Sequence, residues 1–300
     1  MSPMHVAQAL LVVLIWGVNF VVIRWGLNEV PPFLLACARF TLVAFPAIFL
    51  IRKPNIPWRW LIAYGLSKSF GQFAFLLWAM KVGMPASLAS VVHQSQVLFT
   101  LIFSVLVLGL KPRWAQWLGL LIAVMGLLLI VYGKGVGVTQ MTSLGLVLNL
   151  LGAACWAAGN ITVAMMRRAG LEVDPFGLVI WSSLVPILPF AVLSWTMEGA
   201  QISAIRSIGW QSVVAVLYLA IAATIIGYGL WSRLLHQYEP NRIAPFSLLV
   251  PVIGLVTAWL VLGERLNVWQ MMGSLGLLLG LVINLWGARG WNWFLARIRP

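Results

Sequence analysis

Apolar residues along this chain fall into ten blocks of about 20 residues, the length that a helix needs to cross a hydrocarbon core of roughly 30 Å. Short junctions separate the blocks, and prolines stand at many of them, where the first turn of a helix tolerates a missing N–H. The pattern predicts an all-α integral membrane protein with ten transmembrane helices. The predicted spans are residues 5–26, 31–51, 57–80, 85–109, 113–133, 142–166, 175–196, 209–236, 241–262 and 267–288.

Composition agrees with this pattern and excludes a water-soluble domain. Apolar residues make up 62% of the chain and charged residues only 8%, whereas soluble domains contain about 25% charged residues. The first apolar block has no preceding Lys or Arg and no cleavage pattern after it, so we interpret it as a span rather than a signal peptide. Cys37 and Cys155 lie inside apolar blocks, which argues against a disulfide framework.

The net charge of +13 is spread over the junctions rather than gathered in one stripe, which disfavours nucleic acid as a partner. With the N-terminus in the cytoplasm, the loops and tail on that side carry 12 Lys and Arg residues, and the opposite loops carry 5. Positive charge concentrates on the cytoplasmic side of membrane proteins. The count predicts an inner-membrane protein with both termini in the cytoplasm. Trp291 and Trp293, in a basic C-terminal tail, are predicted to anchor at the interface.

The second half of the chain repeats features of the first at a constant offset. Val107-Leu108-Gly109 recurs as Val261-Leu262-Gly263. In the same register, Gln116, Gly119, Gly126 and Gly133 match Gln270, Gly273, Gly280 and Gly287. Because each half holds five spans, an odd number, the second half must enter the membrane from the opposite face. We therefore predict two inverted five-helix repeats, residues 1–137 and 138–300, with a central cavity at their interface.

Three segments resemble a known family: Ile15-Trp16-Gly17-Val18-Asn19-Phe20, Cys155-Trp156 through Asn160, and Ala244 through Pro251 running into Leu262-Gly263-Glu264. They resemble the drug/metabolite transporter superfamily, specifically its EamA-type ten-helix exporters, and the arrangement is similar to the YddG-like amino-acid exporters. The resemblance implies that spans 1–4 and 6–9 line the transport path, with spans 5 and 10 peripheral. Small multidrug carriers of the superfamily couple to protons through a glutamate in the first span. This first span has none, which disfavours that mechanism.

Two cationic residues fall well inside predicted spans rather than near their ends, and a charge there is costly unless it faces a cavity. Lys68 lies near the middle of the third span, and Gln72 follows at i+4 on the same face. We predict that both line the cavity and bind a carboxylate; the alternative is that Lys68 snorkels to the interface. Arg39 lies in the second span, where contact with substrate and a structural tie to backbone carbonyls both remain open.

The fourth span contains three neighbouring polar side chains, which are costly to expose to lipid. His93 and Gln96 share one face, and Gln94 is turned about 100° away. We predict that His93 and Gln96 contact substrate, with Gln94 a weaker candidate. His93 is the only intramembrane side chain that ordinarily titrates near neutral pH, so it is the one candidate proton site. A histidine that only packs is the alternative.

Aromatic and amide side chains form two matching pairs, Trp16 with Asn19 and Trp156 with Asn160. Aromatic walls with a few fixed polar groups are typical of small-molecule pockets, so we predict that both pairs bind substrate; the alternative for the asparagines is to join helices. The remaining candidates are Tyr228, Trp231, Ser247, Trp181 and Ser182, with Pro251 as a hinge because a mid-span proline frees a carbonyl.

Together with these features, the resemblance implies a carrier that exports small metabolites by facilitative alternating access, with amino acids, including aromatic or apolar ones, as the expected substrates. The alternative is an exporter of drugs or other amphiphiles coupled to protons through His93. The intramembrane sequence offers no nucleophile–base pair, carboxylate pair or metal-ligand spacing, so no enzyme activity, metal or cofactor is predicted. The expected partners are a small-molecule substrate and the lipid bilayer. The oligomeric state is left open, with a monomer as the working expectation.

Overall fold

The computed structural model describes residues 1–137, 139–199, 209–238 and 240–298. These residues form ten helical segments in the predicted order, joined by short connections. The segments are α1 (Pro3–Glu29), α2 (Pro32–Leu50), α3 (58–81), α4 (Ala86–Leu108), α5 (Trp114–Tyr132), α6 (Ser143–Arg168), α7 (Pro175–Glu198), α8 (Trp210–Gln237), α9 (240–262) and α10 (Val268–Ile298).

Hydropathy along these segments confirms a multi-pass, all-helical membrane protein. Helices α1, α2 and α4 to α8 are long and apolar enough to cross a membrane, and α9 and α10 contain the shorter apolar helices Leu249–Leu262 and Val268–Asn284. Helix α3 has the length of a span, but Lys68 lies near its middle. The predicted anchors Trp291 and Trp293 fall on the continuation of α10, where side chains are outside the described part of the chain.

Contacts between helices follow the pattern expected of two inverted repeats. When α1 to α5 are exchanged with α6 to α10, the contacts of α1 with α8 and α9 become those of α6 with α3 and α4, and both sets are present. The α2–α3 contact likewise has its counterpart in α7–α8. The pairs α2–α7, α4–α9 and α5–α10 map onto themselves. Helices of one half therefore occupy places equivalent to those of the other.

Helices α5 and α10 pack against each other along glycines. A Cβ added to Gly119 would lie 2.6 Å from the carbonyl oxygen of Gly280, and one added to Gly273 would lie 2.5 Å from that of Gly126. Small residues allow membrane helices to approach this closely, and a larger side chain would push them apart. The opposite face of α5 exposes large apolar residues such as Leu121 to the surroundings. This is the peripheral position implied by the resemblance.

Several helices depart from regular α-helical geometry where they border the interior of the bundle. Helix α3 is π-helical over Gly65–Gly71, α8 is π-helical over Tyr218–Ile226, and α4 tightens to a 3₁₀ turn at His93–Ser95. Such departures are frequent at functional sites. Helix α9 is interrupted at Leu248, because Pro251 has no N–H to donate to the carbonyl four residues earlier.

Candidate functional site

One cavity of about 370 Å³ lies inside the bundle and is lined by eight helices, α1 to α4 and α6 to α9. Most of the predicted site residues meet there. They are Trp16, Asn19, Arg39, Lys68, Gln72, His93, Gln94, Gln96, Trp156, Asn160, Tyr228, Trp231 and Ser247. Trp16 and Ser247, which are 231 positions apart in the chain, thus share one space, as the inverted-repeat geometry predicts.

Among the described residues, the lining of the cavity reaches one end of the bundle only. We name the end at which α1 begins the near end, and the end at which α1 stops the far end. The lining extends to the near end through Arg167, Val173 and Pro175, around the connection between α6 and α7. On the far side, packed side chains such as Met80 and Leu88 are fully buried. A solute can therefore enter from the near end, while the far half blocks its passage.

Lys68 is buried in the wall of this cavity rather than extended to the interface. Only 7% of the residue is exposed, and its Nζ lies 3.3 Å from the centroid of the Trp156 ring. A Cβ at Gly159 would lie 2.8 Å from the Cβ of Lys68, so the glycine leaves space for the lysine stem. The ammonium is held by a cation–π contact, which an arriving carboxylate can supplement. The snorkelling alternative does not fit this placement.

Arg39 is also buried and has only part of its hydrogen-bonding capacity used. Its Nη2 donates to Oγ1 of Thr224 at 2.9 Å, and the guanidinium carbon lies 4.0 Å from the centroid of the Phe73 ring. The Nε and Nη1 donors are buried with no partner in the protein. Because buried donors are costly to leave unpaired, the two free donors favour a ligand that brings acceptor oxygens. The tie that the structure shows runs to a side-chain hydroxyl rather than to backbone carbonyls, and contact of Arg39 with substrate stays a prediction.

His93 is fixed by hydrogen bonds on both ring nitrogens. Its Nδ1 lies 2.8 Å from Oδ1 of Asn149, and its Nε2 lies 3.2 Å from Nε2 of Gln72. With the Gln72 amide placed in this way, a neutral ring donates from Nδ1 and accepts at Nε2. The amide of Asn149 is held in turn by donation to the carbonyl of Ala89. This arrangement suits an uncharged, structural histidine at the back of the cavity.

The two asparagine–tryptophan pairs differ in their surroundings. Asn160 donates from Nδ2 to Oε1 of Gln96 at 3.0 Å and to Oγ1 of Thr100 at 3.1 Å, so it joins α6 to α4. Asn19 has a buried Oδ1 with no partner in the protein. The helix-joining alternative thus fits Asn160, whereas Asn19 keeps a free acceptor at the cavity.

Trp16, Tyr228 and Trp231 form an aromatic wall in the cavity lining. The Trp16 ring lies 5.1 Å from that of Tyr228 and 5.2 Å from that of Trp231, centroid to centroid. The indole N–H of Trp16 donates to the carbonyl of Ala223 at 3.0 Å, which fixes the ring. A rigid aromatic surface of this kind accepts apolar parts of a ligand at low entropic cost.

Three predicted residues are not part of the lining. Trp181 donates from Nε1 to the carbonyl of Ile51 at 2.9 Å and so joins α7 to the end of α2. Ser182 is fully buried, with its hydroxyl donating to the carbonyl of Val179. Pro251 interrupts α9 beside the lining without contributing to it.

Sequence reasoning missed three residues that shape the site: Tyr64, Phe73 and Asn149. Tyr64 and Phe73 line the cavity, and Asn149 orients His93. Asn149 lies seven residues before Trp156, which places both on one face of α6. That spacing is the one signal in the sequence that links Asn149 to the site.

None of the described acidic residues lines the cavity, and three of them accept hydrogen bonds at the starts of helices. Glu198 accepts from the backbone N–H groups of Phe33 and Leu34 at 2.6 and 3.1 Å, at the start of α2. Glu264 and Glu29 do the same at the starts of α4 and α8, on the far side of the bundle. A carboxylate is favourable at a helix N-terminus because the exposed N–H groups carry partial positive charge. Each of these three contacts joins helices from different halves of the fold.

A bundle of membrane helices around one cavity, with a few polar groups in an apolar and aromatic lining that reaches a single end of the described bundle, has the construction of a carrier for small molecules. The residues that the structure describes contain no His/Cys/Asp/Glu cluster fit for a metal ion. The chain belongs to the EamA-like transporter family, whose profile matches residues 4–132 and 143–286. It is a transporter and not an enzyme, as the sequence predicted.

Similar proteins cover nearly the whole chain. A protein of Salmonella typhimurium is 45% identical over 283 residues, with 94% of each chain covered. One of Escherichia coli K12 is 44% identical over 291 residues, with 96% of this chain and 97% of that protein covered. Both are named as probable amino-acid metabolite efflux pumps. A crystal structure that is 20% identical matches with a TM-score of 0.65 over 97% of this chain and 99% of its own, which shows a shared fold.

Proposed function

We propose that this protein exports amino-acid metabolites by facilitative alternating access. The observation that carries the proposal is the pair of buried cations, Lys68 and Arg39, in a cavity whose lining otherwise consists mostly of aromatic, aliphatic and amide side chains. A carboxylate is the group common to amino-acid metabolites, and it matches the free donors of Arg39. The names of the two relatives that are 44–45% identical support the same substrate class.

The proposed orientation places both termini in the cytoplasm of a cell with this protein in its inner membrane. Its support is the excess of Lys and Arg in the loops at the near end, which the positive-inside rule assigns to the cytoplasm. In this orientation the cavity is open to the cytoplasm, which is the loading side for an exporter. We take residues 1–137 and 138–300 as the two halves that move relative to each other, with the interruption beside Pro251 as a hinge.

The alternative, an exporter of amphiphilic drugs coupled to protons through His93, has less support. Both ring nitrogens of His93 already have partners that suit a neutral ring. A flat cationic drug would also meet Lys68 and Arg39, which repel it. The aromatic wall around Trp16 is the only feature of the described cavity that favours such a ligand.

Transport by purified protein in lipid vesicles tests the proposal. Vesicles preloaded with an unlabelled amino-acid metabolite should transiently accumulate the labelled compound, since a carrier exchanges the two. Lys68→Ala should lower this counterflow about 10- to 100-fold, because a charge-assisted contact contributes about 1.5–3 kcal/mol. Lys111→Ala, which removes an exposed loop lysine, should leave it unchanged. Flux without any overshoot would identify a channel and contradict the proposal.

A further inference from the structure

The cavity has an imbalance of charge that the protein itself does not correct. Arg39 and Lys68 are 3% and 7% exposed, and Arg167 lies at the mouth. The described lining contains no aspartate or glutamate. The acids that close the far end are bound to helix N-termini, and Asp174 caps the start of its own helix. No protein carboxylate therefore balances the two buried cations within the described cavity.

Because of this charge imbalance, binding in the cavity should depend on the net charge of the ligand. A buried charge is costly unless an opposite charge accompanies it. A carboxylate of the substrate supplies that charge, but a free ammonium on the same small molecule brings a further positive charge into the cavity. The ring faces that attract cations are partly taken, because Lys68 covers Trp156 and the guanidinium of Arg39 covers Phe73.

We propose that the site prefers amino-acid metabolites with a net negative charge, those whose α-nitrogen is acylated or that carry a second carboxylate. This inference rests on the proposed function and specifies its substrate class. The carboxylate binds between Lys68 and the free Nε and Nη1 donors of Arg39. The acylated nitrogen, now an uncharged donor, faces amide acceptors such as the unpaired Oδ1 of Asn19.

A net negative charge also gives a facilitative carrier a direction. Over one complete cycle the protein returns to its starting state, so the charge moved across the membrane equals the net charge of the substrate. An inside-negative potential then drives anions outward, with about a 50-fold concentration ratio per charge per 100 mV, equivalent to about 2.3 kcal/mol. Export would need no intramembrane carboxylate for proton coupling, in agreement with its absence from the described lining.

The test uses three compounds with the same side chain and different net charge: N-acetylmethionine, methionine and methioninamide. In vesicles containing the full-length protein, N-acetylmethionine should inhibit uptake of a labelled amino-acid metabolite at about tenfold lower concentration than methionine does. Methioninamide should inhibit this uptake least. A potassium diffusion potential, negative on the side that holds the solute, should accelerate efflux of N-acetylmethionine and leave that of methionine unchanged. Equal or reversed ranking, or efflux of N-acetylmethionine that ignores the potential, overturns the inference.

Charge variants show whether the two cations cause the ranking. Lys68→Gln and Arg39→Gln should each bring the competition ratio of N-acetylmethionine to methionine toward one, whereas Lys68→Arg should preserve it. The wild-type ranking decides the inference even if a variant does not fold. If methionine moves and N-acetylmethionine does not, the proposed function stands and this inference falls. If neither they nor any other amino-acid metabolite moves, the proposed function itself is wrong.

Discussion

The far and near ends of this bundle are built from equivalent halves, yet they differ in their contacts. At the far end, Glu29, Glu198 and Glu264 each accept hydrogen bonds at the start of a helix from the other half. At the near end, the cavity opens beside the connection between α6 and α7. Carboxylates at helix termini thus join the two halves at the closed end, and opening of that end must break these contacts.

One pair of matching segments shows this difference between the two ends in a single residue, a glutamate. Glu29 begins the segment Glu29-Val30-Pro31-Pro32-Phe33, and Glu172 begins its near-end counterpart Glu172-Val173-Asp174-Pro175-Phe176. Glu29 accepts from the hydroxyl of Ser212 near the start of α8, whereas Glu172 is exposed. Aligning the starts of α3 and α8 at Trp58 and Trp210 places Trp60 opposite Ser212.

The indole N–H of Trp60 is buried and has no hydrogen-bond partner. In this conformation Trp60 therefore has no acceptor, whereas Ser212 at the far end donates to Glu29. The symmetry of the two halves predicts that Glu172 accepts from Trp60 when the near end closes. The near end thus contains both groups of the expected closing contact, Glu172 and Trp60, without a hydrogen bond between them.

Breaking two far-end contacts together should have the largest effect. Glu29→Gln combined with Glu264→Gln weakens two charge-assisted contacts, and a combined loss of about 2 kcal/mol would raise the population open at the far end about 30-fold. A cysteine at the buried position Ile23, in a background of Cys37→Ser and Cys155→Ser, should then react faster with a membrane-impermeant maleimide added on the far side. Glu172→Gln is the matched control and should not increase this reaction. Unchanged labelling of a folded double variant would show that the carboxylates do not hold the far end.

Removing the prepared near-end contact should have an intermediate effect. Trp60→Phe and Glu172→Gln should each slow transport about tenfold, because the state closed at the near end loses one charge-assisted hydrogen bond of about 1.5 kcal/mol. Counterflow rates in vesicles measure the loss, and the double variant should be no slower than either single variant. Full activity of both single variants would contradict the symmetry argument.

Weakening one far-end contact without removing its carboxylate should have the smallest effect. Ser212→Ala removes the hydroxyl donor of Glu29 and leaves the N–H of Gly209 in place. A loss of about 1 kcal/mol corresponds to about fivefold faster labelling at position 23. Ser67→Ala is the control, since the Ser67 hydroxyl donates only within its own helix. Labelling of the two variants at the same rate would argue against the Glu29 contact.

The sequence predicts the spans and the cavity better than the contacts between helices. Hydropathy alone locates the ten segments, because a membrane imposes one length on every crossing. Lys68 and Arg39 are predictable for a related reason: a charge within a span must face away from lipid. The helix-end position of the acids is also visible in the sequence. Their partners are not, since Glu198 and Phe33 are 165 residues apart.

The rotation of a helix about its own axis explains most of the remaining differences. Trp181 and Ser182 were predicted to face the cavity, but α7 directs them to its neighbours and its own backbone. Asn149 was missed because a single polar residue has no polar neighbour one turn away to mark its face. Spacing fixes which residues share a face, whereas packing decides where that face points.

The π-helical segments of α3 and α8 determine how these helices respond to a change in chain length. Gly65–Gly71 and Tyr218–Ile226 lie at matching places in the two halves, and a π-helical turn holds more residues than an α-helical one. Deleting one residue from either turn should let it rewind to an α-helix, which absorbs the deletion there and leaves the orientation of the helix beyond unchanged. A one-residue deletion in these turns should therefore change the wall of the cavity locally and leave the packing of the rest of each helix in place.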